Sequence, residues 1–347
     1  MFKGLYVDKP ESVVVLEEQE ADLQANQVRI QTEFAAIKHG TEFHLFSGKS
    51  PHAEQRFDAD LRLFVPVSEQ ERSQASGRRS SVGNMAVGCV IEIGKAVTKV
   101  KPGDRVYCYG PAWELLTKEE TDVEPLFEPM SPQDAVCLDP ALYAFTAVRD
   151  ARARLGDTAV VFGLGAIGLF VVQMLKMSGC LHVVAVDPIE KRRTLAERYG
   201  ANLTLDPTQC DVGLEVRKVL GQGADIAIEA SGHYKALSGA MRAVRNCGRI
   251  VTLGYYKGRD SELELGAEWH HNRLELIGSM PVWDNPLRDY PLWDNERISR
   301  TLIELFRQKR LISDGIVDPI VDFEDAAAAF LAIYRNPANA IKLGIRF

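Results

Sequence analysis

The run Val160-Val161-Phe162-Gly163-Leu164-Gly165-Ala166-Ile167-Gly168 constrains the fold more than any other stretch of the chain. Its first half is apolar and β-branched, which suits a buried strand. The residues after Gly165 carry helix-type apolar periodicity as far as Gly179. A strand joined to a helix through glycines in GxGxxG spacing needs each glycine for a separate reason. The first makes a tight turn, the second lets backbone approach a bound group, and the third lets the helix lie on the strand. Unpaired N–H groups and the positive end of the helix dipole then favour a pyrophosphate at that turn.

The same rhythm continues downstream. "HVVAVD" reads as a strand, and "PIEKRRTLAERYGA" as a helix with proline at its start and Gly200 at its end. "ADIAIEASG" and "GRIVTLGYY" read as buried strands, with the amphipathic "YKALSGAMRAVRN" between them. Repeated strand–helix–strand units predict an α/β fold with a Rossmann doubly wound parallel sheet. Asp187 closes the second strand, where a carboxylate accepts hydrogen bonds from adenosine ribose hydroxyls. Its charge opposes a 2′-phosphate, so NAD is expected in preference to NADP; FAD or an S-adenosyl cofactor are the other ligands of such a turn. Arg192 and Arg193 either offset that charge or are solvated helix-face arginines. The expected cofactor-binding set is Gly163, Gly165, Ala166, Ile167, Gly168, Asp187, Arg192, Ser231, Gly254, Tyr255 and Ser279.

The first 140 or so residues read differently, as short strands broken by turns such as Lys101-Pro102-Gly103-Asp104. A chain of 347 residues exceeds one ordinary core, so two domains are expected. The net charge of −7 argues against a nucleic-acid backbone or an anionic membrane as partner. No apolar run approaches a membrane span, and the first residues lead straight into a strand rather than a signal peptide. Six scattered cysteines with no CxxC exclude a four-thiolate zinc knuckle and fit a reducing cytoplasm.

From end to end the chain resembles the medium-chain alcohol and polyol dehydrogenases. "VIEIGKAVTKVKPGDRV" is similar to that family's turn before its GDRV strand, and "AIKLGIRF" to its closing strand. The resemblance implies a GroES-like, partly open β-barrel from residues 1–142 and 285–347, and a Rossmann domain over 143–284. It also implies hydride transfer involving nicotinamide, usually with zinc polarising the substrate oxygen, and a homodimer or homotetramer. Zinc-dependent members carry Cys-Gly-Thr-Asp where this chain has His39-Gly40-Thr41-Glu42, and Gly-His-Glu where it has Gly83-Asn84-Met85. The third ligand position falls on Asp139, and the structural-zinc lobe has no cysteine in "GPAWELLTKEETDVEPL". A neutral amide is a poor zinc ligand, so no metal is expected; a rewired site using Glu42 or His44 is the alternative. The Gly-Thr-Glu signature is similar to a subset that includes bacteriochlorophyllide dehydrogenase-like proteins and sugar- or cyclitol-oxidising enzymes.

Without a metal, a base and a donor or cation must share the removal of the hydroxyl proton. By resemblance Thr41 and His44 occupy a hydroxyl-to-imidazole relay, while His39 and Lys38 complete the candidate catalytic set. The bland alternatives are a satisfied surface or core histidine at His44 and a Lys38 that points into water. Glu42, Asn84, Asp139, Trp283 and Asn285 are candidates for binding a carbohydrate-like substrate, since rings stack on sugars and polar groups bind hydroxyls. Asp139 could instead cap the following helix, and Trp293 is read as an anchor for the chain. Adjacent His270 and His271 are read in a strand, alternating faces, and hence as a poor metal pair. The expected function is NAD-dependent oxidation of a secondary hydroxyl of a sugar, polyol or cyclitol. Its alternatives are a zinc-free reductase of activated C=C bonds and a catalytically inactive NAD-binding regulator.

Overall fold

Along Gln27–Ala36 burial alternates, with Val28, Ile30, Thr32 and Phe34 turned inward between more exposed polar residues. That period of two is what a sheet with one solvated face requires. The computed structural model describes residues 1–48, 54–68, 79–256, 263–281 and 287–347. It divides into two compact units, Met1–Cys137 with Ser313–Phe347, and Leu138–Ile312.

The first unit is built on short strands: β1 (Phe2–Lys9), β2 (Ser12–Glu18), β3 (Gln27–Ala36), β4 (Gln55–Asp58), β5 (Leu63–Pro66), β6 (Ser80–Ser81), β7 (Met85–Ile93), β8 (Arg105–Tyr109), β9 (Leu115–Glu119) and β10 (Val123–Pro125). The second holds β11 (Thr158–Phe162), β12 (His182–Val186), β13 (Leu203–Leu205), β14 (Ala224–Glu229), β15 (Val244–Thr252) and β16 (Glu275–Gly278). The chain then returns to the first unit with β17 (Val317–Asp322) and β18 (Lys342–Arg346). The main sheet of the first unit runs β10-β8-β7-β3-β18-β17, with β9 also on β3. The closing strand β18 thus pairs with β3 in the register Gly344–Ala36, about 300 residues away in sequence. After β3 comes the helix α1 (His39–Phe46). Phe46 and Phe330 meet edge to face at 5.2 Å beneath it, within a core that includes Leu5, Ile30, Ile37 and Leu343.

In the second unit all six strands are parallel, in the order β13-β12-β11-β14-β15-β16. That order with helices between strands is a Rossmann sheet. Val160, Val161, Val183, Val184, Ile226 and Ile228 are all 1% exposed or less, as strands covered on both faces must be. The helix Asn295–Arg307 packs within this unit, its Asp294 side chain capping the first turn by accepting from Arg297 N–H. Trp293 lies between the guanidinium groups of Arg149 and Arg297, each 4.0 Å from a ring centroid, which suits the anchoring role.

His270 and His271 correct the sequence reading. They lie in a four-residue helix, Glu268–His271, not in a strand. The His271 Nδ1 stands 3.1 Å from the carbonyls of Gly266 and Ala267, so one helical turn satisfies the ring. The strand begins only at Glu275.

Candidate active site

The glycine turn of the second unit is explicit about what each glycine does. Gly163 has φ +85°, and a Cβ there would stand 2.8 Å from Ser231. A Cβ at Gly168 would stand 1.9 Å from the Gly163 carbonyl oxygen, so no side chain fits between strand and helix. Gly165 differs: it is the N-cap of the helix Ala166–Met177, and a Cβ there would meet nothing within 4 Å. No side chain caps that helix, which leaves its first N–H groups facing this open space.

Asp187 is 3% exposed. Its Oδ2 accepts from Leu164 N–H at 2.8 Å and its Oδ1 from Ile189 N–H at 2.9 Å. The carboxylate therefore ties the end of β12 to the glycine turn while keeping lone pairs for a further donor. Arg192 and Arg193 are partly buried against this turn. Arg192 Nη1 lies 3.7 Å from Asp187 Oδ2, and Arg193 Nη1 donates to the Asp187 carbonyl at 2.6 Å.

Sequence reasoning missed Glu229, which is completely buried at the end of β14. It accepts from Ser231 N–H at 2.8 Å, from Gly232 N–H at 3.1 Å, and from the hydroxyls of Ser231 and Tyr256. Four donors on one carboxylate satisfy the buried charge and hold the backbone of residues 231–232. Burial and the Glu229 charge push the Tyr256 hydroxyl well above the usual tyrosine range. A Cβ at Gly254 would stand 2.2 Å from Gly232 N, so two of these loops cross backbone to backbone. Tyr255 is half-exposed beside them, and Ser279 N–H donates to the Thr252 carbonyl at 2.8 Å.

In the first unit, α1 brings Lys38, His39 and Glu42 to one helix end. His39 Nε2 accepts from Leu343 N–H at 3.3 Å, and its ring stacks on Phe43 at 5.0 Å. Glu42 is 6% exposed, and its Oε1 accepts from Gly83 N–H at 3.0 Å while Oε2 has no hydrogen-bond partner. Burial raises the Glu42 carboxyl to about 7, opposed by the Gly83 and Lys38 N–H groups and by the charges of Lys342 and Lys38. Asn84 Nδ2 and His44 Nε2 are likewise buried and without hydrogen-bond partners. Thr41 is exposed on α1, three residues before His44. Lys342 was not singled out by the sequence. It is 4% exposed on β18, and its Nζ donates to the Ile37 carbonyl at 3.1 Å.

Asp139 belongs to the second unit and lies inside the first turn of the helix Leu138–Asp150, not at its N-cap. Trp283 and Asn285 lie outside the described residues.

Residues 166–283 match the family model described as zinc-binding dehydrogenase. The chain is 35% identical over 350 residues to D-guloside 3-dehydrogenase of Escherichia coli, covering 99% of this chain and 100% of that protein. The chain belongs to the zinc-binding dehydrogenase family. Among solved structures, the 2R,3R-butanediol dehydrogenase of Bacillus subtilis superposes with a TM-score of 0.79 at 20% identity, covering 100% of both chains. Galactitol-1-phosphate dehydrogenase of Escherichia coli superposes with 0.78 at 18% identity, over 99% of this chain and 100% of that one. This is the medium-chain alcohol dehydrogenase fold, in which a GroES-like domain accompanies the Rossmann sheet.

The zinc that gives the family its name can be tested against the side chains present. Zinc takes thiolate, imidazole or carboxylate ligands. At the family's three positions this member of the zinc-binding dehydrogenases has His39, whose Nε2 already accepts a backbone N–H, the neutral amide of Asn84 with the core Met85 (2% exposed) after it, and Asp139, so one of the three places holds no zinc-type ligand. Among the described residues no three His, Cys, Asp or Glu side chains gather where they could hold a metal ion. The donor set does not fit a catalytic zinc.

Proposed function

We propose that this protein is an NAD-dependent dehydrogenase that oxidises a secondary hydroxyl of a sugar, polyol or cyclitol to the ketone by hydride transfer, without catalytic zinc. The observation that carries the reading is the end-to-end kinship with D-guloside 3-dehydrogenase, an enzyme named for oxidising a sugar derivative. Asp187 supports NAD, because a buried carboxylate at the ribose position repels a 2′-phosphate.

In the reaction the C–H bond breaks with its electron pair going to nicotinamide, the O–H bond breaks, and C=O forms. Thr41 and His44 are assigned to proton removal, with His39 and Lys38 beside them. The His39 Nε2 lone pair is directed at Leu343 N–H, so His39 is better placed to orient than to accept the proton. Glu42 Oε2 and Asn84 Nδ2 are assigned to substrate hydroxyls. A buried polar atom without a partner costs stability, and a ligand that supplies the missing bond recovers it. Asp139, Trp283 and Asn285 remain in the proposed binding set. The same reading makes the protein a cytoplasmic homodimer or homotetramer. Six free cysteines support the reducing compartment, and among the described residues no helix is long and apolar enough to cross a membrane.

The test is a fluorescence titration with NADH and NADPH, followed by a panel of methyl glycosides, polyols and cyclitols with identification of the product. NADH should bind at least about tenfold tighter, the worth of one charge-assisted contact, and a ketone should form with NAD. NADPH preference with no oxidation of the panel would instead favour reduction of activated C=C bonds.

A further inference from the structure

Lys342 is, among the described residues, the one Lys or Arg that is buried. An ammonium group is costly to bury unless carbonyls and negative charge surround it. On its own face of β18 the next residue, Gly344, lies against the apolar side chains of Val317, Phe34 and Ile320, so an aliphatic side chain would suit that face at least as well. The lysine therefore answers to something other than packing.

Its surroundings are specific. The Nζ donates to Ile37 O at 3.1 Å, the last carbonyl before Lys38 and the start of α1. The two strands are locked there in both directions, since Ile37 N–H donates to Leu343 O at 3.0 Å and Leu343 N–H donates to His39 Nε2. Glu42, one turn into α1, is the buried acid that feels the charge of Lys342, and its Oε1 is fastened to Gly83 N–H. Three segments far apart in sequence, 37–42, 83–84 and 342–343, thus meet at one point. The polar atoms left there without hydrogen-bond partners are Glu42 Oε2 and Asn84 Nδ2.

We infer that Lys342 is the fixed positive charge of the substrate site at the start of α1, near the buried acid Glu42, and that it positions the substrate hydroxyl and stabilises negative charge developing on its oxygen. The inference rests on the dehydrogenase reading above. Lys342 keeps its proton throughout: the hydroxyl proton goes to the base on α1, the hydride to NAD, and the lysine acts only through its field. A preorganised charge in a buried site is worth far more than the same charge in water. Lys38 cannot fill this place equally, because it is only half-buried.

The test compares full-length wild type with Lys342→Met, Lys342→Arg and the double variant Glu42→Gln/Lys342→Met. Each is assayed for Tm, NADH affinity, and kcat and KM with NAD and the methyl glycoside that wild type oxidises fastest. Lys342→Met should lower Tm and cut kcat by roughly 10²–10³-fold, the scale of losing one preorganised charge or donor. Lys342→Arg should bring kcat back to within about tenfold of wild type. The double variant should regain Tm, since the buried acid whose ionisation Lys342 favoured is gone as well, yet keep the low kcat. Recovery of kcat together with Tm in the double variant, or wild-type kcat in Lys342→Met, would overturn the inference and make the pair purely structural. If Lys342→Met does not fold, the arginine and double variants decide between the same outcomes. Wild-type protein inert toward the whole panel would overturn the dehydrogenase reading itself, and this inference with it.

Discussion

The glycine turn of the second unit and the start of α1 in the first solve opposite problems. At the turn the buried carboxylates are closed: Asp187 accepts from the N–H groups of Leu164 and Ile189, and Glu229 from those of Ser231 and Gly232. At the start of α1, buried polar atoms of Glu42, His44 and Asn84 have no hydrogen-bond partners, and the groups that surround them come from three distant segments. A site that binds one invariant cofactor can be made of backbone. A site that must activate a hydroxyl needs side chains held in environments that cost stability.

The largest expected effect sharpens the α1 side of this contrast. Thr41→Val and His44→Ala should each lower turnover by roughly 10²–10⁴-fold while NADH binding is unchanged. Steady-state kinetics paired with fluorescence titration measures both, and unchanged turnover in both variants would remove the relay. On the other side, Gly168→Ala drives a methyl group into the Gly163 carbonyl and should destabilise the second unit by about 1–3 kcal/mol. Gly165→Ala meets no protein atom, so its Tm should stay near wild type while NADH affinity falls. Equal Tm losses in the two variants would contradict the separate roles given to these glycines.

Asp187→Asn comes next. It keeps one oxygen acceptor for the turn but loses the charge, so the NADH-to-NADPH affinity ratio should shift about tenfold towards NADPH. Binding titrations at one ionic strength check this.

The smallest effect concerns Glu42. Its carboxyl is raised from 4.5 to about 7 by burial, so between those values the native state holds a proton that the unfolded chain has released. Stability from this group is therefore lost as pH rises through that window and is constant on either side. Across the same window the Tm of Glu42→Gln should gain a few degrees relative to wild type. A constant difference would show that Glu42 does not titrate there.

Much of this was legible in the sequence wherever the physics is local. Gly163, Gly165, Gly168 and Asp187 lie within 25 residues, and each is dictated by a strand–turn–helix whose spacing is visible in the chain. The strand alternation of the first unit was visible for the same reason. Lys342 was read only as part of a closing strand, because nothing near it in sequence distinguishes a buried lysine from one that turns outward. A single lysine inside "AIKLGI" was the available signal. Glu229 was missed likewise: its donors include Tyr256 on the following strand–loop, and only the fold brings that hydroxyl to it. The His270–His271 error arose because four residues fit either period, and the decisive carbonyls of Gly266 and Ala267 act through three-dimensional geometry.

One measurement bears most directly on the central claim that this zinc-family member oxidises its substrate with protein groups alone. Purified protein is analysed for bound metal, treated with a chelator, and assayed with NAD and the glycoside panel. The account predicts substoichiometric zinc and ketone formation at an unchanged rate after chelation. Stoichiometric zinc that leaves together with the activity, and restores it when added back, would contradict the account.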